Sequence, residues 1–502
     1  MVAGFSLLAG SCASLPQVPP SGLAGLSRIA EVDPRFQSYN VEMVEVTGGR
    51  FWAPYGGPKG EVYRMREPID LGDQRLRQLA AQLAPAYMRV SGTWANTTYL
   101  PATGEEASEP PKGFRQVLTR EQWRGVVEFS QSLDAPIVTS FAVSEGTRDA
   151  NDVWTPQQAQ RLLDLTREAG GAIHAAEFFN EPNVPAISGL PKGYSAAAYG
   201  RDFRVFHDWA RIAAPDMLIL GPGGLGDATF PPGFAEQAAA ATGMIGTDAM
   251  LAANPAKLDG VSWHFYGGVS QRCGTFGMPV AQRDGALSWE WLDRTMLDEA
   301  RIAALRDQYE PGRPLWLTET AQAACGGSPW AAGFADSFRY LNQLGLLAQR
   351  GVKVVMHNTL AASDYALIDG DTLEPRPNYW AAVLWRRTMG PVVLAPPPAP
   401  DLSVRLYAHC LPEMDGGVGL LALNLGTVPQ VIALPAKGDA WLMQANDLDA
   451  GPATVNGREP VLAADGRLTG LDPMPFANRL DLPATSIAFL AISSVGNPAC
   501  HR

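Results

Sequence analysis

The chain has 502 residues and five cysteines, with 39 Lys+Arg against 51 Asp+Glu for a formal charge of −12. At about 150 residues per domain, that length allows three domains, or one large α/β barrel with a smaller module. A hydrophobic content of 46% with 51 Gly and 41 Pro belongs to a loop-rich globular protein, not a disordered or fibrous one. The acidic balance argues against nucleic acid or an anionic membrane as partner, since both need a basic face. An anionic ligand would need a local exception.

The first twenty residues, MVAGFSLLAGSCASLPQVPP, run from a short apolar stretch through small residues to Cys12 and a Pro-bearing segment. They read as the tail of an export signal with Cys12 at the lipidated position, although no Lys or Arg precedes the apolar run. The alternative is an untargeted terminus. No later apolar run approaches the ~20 residues a membrane span requires. The expectation is an exported protein, periplasmic, secreted or lipid-anchored at the cell envelope, in which residues 21–35 pair with a C-terminal module.

From residue 36 to 392, eight short apolar runs alternate with helical spacing or Gly/Pro loops. They begin at Phe36, Ala86, Ala135, Ala175, Met217, Gly260, Pro314 and Val352. Between the first two, Leu76, Leu79, Ala80 and Leu83 fall at i, i+3, i+4, i+7. Before the eighth, RYLNQLGLLAQRG is helical, with Gly351 where a helix stops. Strand and helix alternating eight times predicts a (β/α)₈ TIM barrel. After the proline run APPPAP, read as a linker, residues 393–502 carry short alternating β-branched stretches such as SVRLYAH and TSIAFLAIS, the pattern of a β-sandwich.

Barrel enzymes carry their functional side chains at the C-terminal ends of the strands. The fourth run ends in Asn180-Glu181-Pro182-Asn183 and the seventh in Thr318-Glu319-Thr320. Two carboxylates on one rim are what glycoside hydrolysis needs: one protonates the leaving oxygen, and the other attacks the anomeric carbon or activates water. A lone glutamate at a strand end is more often an ion-pair partner, but the Asn-Glu-Pro tripeptide shifts those odds.

With NEPN at 180, WHFY at 263, TETAQAACGG at 318, DYALID at 364 and LPATSIAFLAISSVGNPAC at the end, the sequence resembles glycoside hydrolase family 79. This is the heparanase and β-glucuronidase family of retaining enzymes. The resemblance runs from Val32 to the C-terminus. It implies Glu181 as general acid/base and Glu319 as nucleophile, so Glu181 has to carry a proton and Glu319 has to stay ionised. It also implies that Asn180 donates to the sugar 2-hydroxyl and that Tyr266 hydrogen-bonds the nucleophile. His264 shares that rim, either as a site residue or as a satisfied packing histidine. The uronic carboxylate would be held by backbone amides of Cys325-Gly326-Gly327 and by Tyr365, which reconciles an anionic substrate with an acidic protein. Thr93 and Glu42 resemble hydroxyl-binding positions, Glu42 in place of the aspartate of animal heparanases. The basic pair that follows NEPN there is VPAISGLPKGY here, leaving Lys192 as the nearby cation and putting sulfate recognition in doubt.

The resemblance further implies a disulfide between Cys410 and Cys500. Cys273 and Cys325, on the loops after the sixth and seventh runs, then form a second bridge or remain two thiols. Gly221, Gly223 and Gly226 spell GxGxxG, but DATFPPGF follows instead of a helix, so no dinucleotide is expected. Nor is a metal or other cofactor. The reading is a monomeric retaining β-glucuronidase acting, endo-fashion, on a glucuronic-acid-containing glycan of the heparan type. The alternatives are exo-cleavage of chain ends or small glucuronides, and a catalytically dead surface carbohydrate-binding lipoprotein.

Overall fold

A computed structural model of the chain describes residues 22–58, 61–225, 243–276 and 280–501. Cys12 with its export-like stretch, and Gly226, lie outside the described residues. Every apolar run contributes a strand: Gln37–Glu42 (β1), Met88–Ser91 (β2), Ile137–Thr139 (β3), Ile173–Glu177 (β4), Leu218–Leu225 (β5), Gly260–Tyr266 (β6), Leu315–Ala321 (β7) and Val354–His357 (β8). They close into one parallel barrel in sequence order.

A helix follows each strand: Gln74–Ala81 (α1), Arg120–Ser132 (α2), Gln157–Glu168 (α3), Ala196–Ala213 (α4), Thr247–Ala253 (α5), Thr295–Tyr309 (α6), Ala335–Gln349 (α7) and Pro377–Thr388 (α8). Their boundaries follow local chemistry. Asp73 accepts from the Leu76 N–H to start α1, and Thr119 with Gln122 forms a capping box on α2. Beyond the end of α7, Gly351 takes φ +75°. The expected face of α1, Leu76, Leu79 and Ala80, is buried.

Inside the barrel, the two-residue alternation of the strands sorts side chains into layers. Tyr87, Val138, Ala175, Leu220, Trp316, Val354 and Met356 pack together as an apolar plug. Two residues further along the same strands the plug gives way to charge, with Arg89 after Tyr87 and Glu177 after Ala175, both buried. The alternation then leads to His264 and Tyr266 on β6, Glu42 on β1 and Asn358 past β8.

The C-terminal region is an antiparallel sheet built from Val392–Leu394 (β9), Val404–Cys410 (β10), Val418–Asn424 (β11), Gln430–Gln444 (β12), Met474–Leu482 (β13) and Ser486–Ile492 (β14). The long β12 pairs with both β13 and β14, and the residues enclosed form a separate hydrophobic core. The fold is therefore a (β/α)₈ barrel with a C-terminal all-β domain. The proline run corrects one expectation: β9 and β10 pair on either side of it, so it is a loop within the sheet and not a linker. The N-terminal strand Arg28–Glu31 joins the same sheet by pairing with β9. The sheet also braces α7, behind the strand that carries Glu319. The Tyr407 hydroxyl donates to Asn342 Oδ1 at 2.7 Å and Arg405 Nη1 to the same oxygen at 2.8 Å.

Candidate active site

Glu181 and Glu319 come together at the C-terminal mouth of the barrel. A carboxylate oxygen of each, and a ring nitrogen of His264 between them, lie within 4.8 Å of one another. Local backbone irregularities aim both glutamates. On β7, Trp263 pairs with Leu317 but His264 pairs with Glu319, so the strand holds one extra residue there. This bulge lets consecutive Thr318 and Glu319 both reach into the barrel. Glu181 itself sits at φ +49°, a region costly for a residue with a Cβ, and its N–H donates to the Gly223 carbonyl at 3.2 Å. Asn180 is fixed reciprocally: its N–H donates to Asn96 Oδ1 at 3.0 Å, and Asn96 Nδ2 donates to its carbonyl at 2.8 Å.

The two carboxylates have different surroundings. Glu319 accepts from the Tyr266 hydroxyl at 2.8 Å and from Arg89 Nη1 at 2.9 Å. Glu181 faces His264, whose Nδ1 lies 3.2 Å from its Oε1. Burial alone would lower the His264 pKa, and Arg89 adds to that, yet the Glu319 charge and the Glu177 and Glu181 carboxylates raise it to about 9. Either charge state has partners: a protonated ring donates from Nδ1 to Glu181, and a neutral one can also accept at Nε2 from Arg89 Nη2, 3.1 Å away.

Beneath this pair, Arg89 donates through Nε and Nη2 to Glu177 Oε2 at 3.1 and 2.9 Å, and through Nη2 to Asn180 Oδ1 at 2.8 Å. The other oxygen of Glu177 accepts from Ser262 and Thr318 at 2.7 and 2.6 Å. Burial would raise the Glu177 carboxyl, but Arg89 and His264 hold it well below the usual range. Gly223 belongs to this contact, because a Cβ there would stand 2.7 Å from Glu177 Oε1. Close approach to a buried carboxylate, not phosphate binding, accounts for this glycine of the GxGxxG run.

On the other side of Glu319, Asn358 Nδ2 donates to Glu42 Oε1 at 3.0 Å and lies 3.1 and 3.2 Å from the Tyr266 and Tyr365 hydroxyls. Burial first, and the Glu319 charge second, push the Glu42 carboxyl well above the ordinary carboxylate range. Its Oε2 is buried without a partner among the described residues, against Gly92, where a Cβ would stand 1.6 Å from it. Burial likewise keeps Tyr266 and Tyr365 in the hydroxyl form. Thr93 lies half-buried two residues beyond β2. Cys273 and Cys325 are bridged, with Cα atoms 6.4 Å apart, as are Cys410 and Cys500 at 5.3 Å. A cation lodged between Glu181, His264 and Glu319 would face the Arg89 guanidinium, which already neutralises Glu319, so the arrangement suits proton and nucleophile chemistry better than metal binding.

No protein-family model matches the chain. Mouse heparanase is 27% identical over 571 aligned residues, covering 98% of both chains, and chicken heparanase is 32% identical over 262, covering 48% of each. The chain is a homologue of the heparanases, which belong to glycoside hydrolase family 79. It is a glycosidase. In fold it is similar to a solved 4-O-α-L-rhamnosyl-β-D-glucuronidase from Fusarium oxysporum, with a TM-score of 0.64 at 13% identity over 95% of this chain and 99% of that one.

In this heparanase homologue the expected residues Asn180, Glu181, Tyr266, Glu319 and Tyr365 share one hydrogen-bonded cluster with Glu42, and His264 belongs to it instead of to the packing core. Lys192, read as the nearby cation, is exposed, and the charge that meets Asn180 is Arg89. Arg89, Glu177, Asn358 and Arg272 were missed. The signal for two of them was there: Arg89 in AYMRVSG and Glu177 in AAEFF are charges inside apolar strands, which only an inward-facing polar layer tolerates.

Proposed function

We propose that the chain is a retaining β-glucuronidase of the heparanase type, with Glu181 as general acid/base and Glu319 as nucleophile. The observation that carries this is the approach of the two carboxylates to within 4.8 Å. Retaining enzymes hold these groups about 5–5.5 Å apart, whereas inverting ones leave about 6.5–9.5 Å for a water. A dead carbohydrate-binding barrel has no need of that spacing. Glu181 protonates the glycosidic oxygen as Glu319 attacks the anomeric carbon. Glu181, now a base, then draws a proton from water, which hydrolyses the glycosyl-enzyme. Arg89 and Tyr266 stabilise the Glu319 carboxylate between turnovers and as it leaves.

Asn180 donates to the 2-hydroxyl, and Glu42 and Thr93 take the outer hydroxyls. The Tyr365 hydroxyl and the N–H groups of Cys325 and Gly326 hold the C6 carboxylate. Neither N–H has an acceptor among the described residues, whereas Gly327, the third of the expected donors, spends its N–H on the Ala323 carbonyl at 3.1 Å. The substrate is a glucuronic-acid-containing glycosaminoglycan, in keeping with relatives named heparanase. Two disulfides support an oxidising, exported location. The test is proton NMR of the first product from a heparan sulfate oligosaccharide and from 4-nitrophenyl β-glucuronide. The β-anomer should appear first, and Glu319→Gln should give none; an initial α-anomer would sink the reading.

A further inference from the structure

The loop after β7 is gripped by Ser270, Arg272 and Cys273 of the loop after β6. Ser270 donates its N–H to the Ala324 carbonyl at 3.0 Å and its hydroxyl to the Cys325 carbonyl at 3.0 Å. Buried Arg272 donates through Nη1 to the carbonyls of Cys325 and Gly327 at 3.1 and 3.0 Å, and through Nη2 to Ala53 O and Asp364. Its guanidinium stacks on Tyr55 at 3.8 Å. Cys273, next in sequence, is bonded to Cys325.

A trans peptide points its N–H opposite to its C=O. The carbonyls of Ala324 and Cys325 are drawn to Ser270 and Arg272, so the N–H groups of Cys325 and Gly326 face away from the β6 loop, side by side. The backbone that does this is left-handed at three successive residues, Cys325 at φ +64°, Gly326 at +82° and Gly327 at +84°. Such a conformation is held by its surroundings and not by intrinsic preference, most of all at the cysteine. At Gly326 no side chain fits, since a Cβ would stand 2.7 Å from Trp52 Cβ and 2.8 Å from Arg272 Nη1. Asp364 neutralises Arg272 directly, so the guanidinium acts on the loop and not as the ligand of an anion.

We infer that Arg272 and the Cys273–Cys325 bridge form a clamp that presets two backbone amides for a uronate carboxylate, and that this clamp sets the preference for a glucuronide over the neutral glucoside. The inference rests on the proposed β-glucuronidase function. Arg272 and Cys273 are positioning residues: their role is to make the amide pair rigid before substrate arrives.

The test uses the full chain carrying Glu319→Gln, in which turnover is blocked, and measures calorimetric affinities for methyl β-glucuronide and methyl β-glucoside. This background should prefer the glucuronide by about tenfold or more, the worth of one charge-assisted hydrogen bond. Adding Arg272→Gln, or Cys273→Ala with Cys325→Ala, should lower the ratio of affinities by most of that margin, leaving only the share that Tyr365 supplies. Should those variants not fold by circular dichroism, Arg272→Lys, which keeps the charge but loses the fork spanning two carbonyls, should still lower the ratio several-fold. A ratio unchanged in folded clamp variants, both affinities falling in equal proportion, or a background without preference would each overturn the clamp. Failure of the functional reading looks different: the otherwise wild-type chain would leave β-glucuronides uncleaved while the ratio still collapsed in the clamp variants.

Discussion

Arg89 Nη1 stands 2.9 Å from Glu319 Oε2 while Nε and Nη2 of the same guanidinium grip Glu177, so one buried cation serves both the floor of the barrel and the proposed nucleophile. All three side chains are nearly or wholly excluded from solvent. Arg89→Leu leaves Glu177 as an uncompensated buried charge, which should cost about 3–5 kcal/mol of stability. Arg89→Lys keeps the charge but cannot span both carboxylates, and should cost less stability while still lowering kcat. Urea unfolding of the three proteins, with kinetics on a nitrophenyl glucuronide, separates the two effects.

The roles of Glu181 and Glu319 differ in what an external nucleophile can rescue. Glu319→Ala should lower kcat by roughly 10⁴-fold or more. Glu181→Ala should lose about 10²–10⁴-fold on substrates with poor leaving groups and much less on activated ones. Azide needs no general base, so with Glu181→Ala it should yield the β-glucuronosyl azide by attacking the covalent intermediate. With Glu319→Ala it should yield the α-azide by attacking the substrate directly. Product stereochemistry by NMR checks both, and the opposite pairing would exchange the two assignments.

Tyr266→Phe removes one of the two donors to Glu319, at 2.8 Å, and one neighbour of Asn358. A hydrogen bond to a charged group is worth about 1.5–3 kcal/mol, so kcat should fall by roughly ten- to a hundredfold. Because the ring stays, packing against Ala321, Ala331 and Tyr365 persists and the melting temperature should move little. Loss of stability without loss of rate would make Tyr266 a packing residue.

The parts of this fold that were legible in the sequence are those governed by local pattern. Eight apolar runs, the α1 face and the helix stop at Gly351 depend on neighbours within a few residues. What was not legible depends on register between distant strands. Nothing in LWLTETA reveals that β7 holds an extra residue opposite His264, yet that bulge turns Glu319 inward beside Thr318. Asn358 reads as the end of a strand, and only barrel closure puts it against Glu42, Tyr266 and Tyr365. Arg272 was invisible for the same reason, since its partners come from residues 53, 325, 327 and 364. The resemblance supplied roles for the ligand-facing side chains, whereas the charges beneath and behind them emerged from the packing.

His264 gives the cluster a pH dependence whose sign follows from its neighbours. Glu319, Glu177 and Glu181 favour the imidazolium and Arg89 opposes it, with the folded pKa raised from 6.5 to about 9. A raised pKa means the folded state binds the proton more tightly than the unfolded chain, so the stabilisation is complete below pH 6.5 and disappears as pH rises through about 9. For a fully buried ring that interval corresponds to up to about 3 kcal/mol. His264→Gln lacks this contribution at every pH. Urea unfolding of wild type and variant at pH 6 should therefore differ by more than at pH 9.5, and the gap should close steadily between. Titrations of groups remote from His264 cancel in the difference. A gap independent of pH would mean that the ring is neutral throughout, accepting from Arg89 at Nε2 and donating to Glu181 from Nδ1, and His264 would then orient the acid/base without charging it.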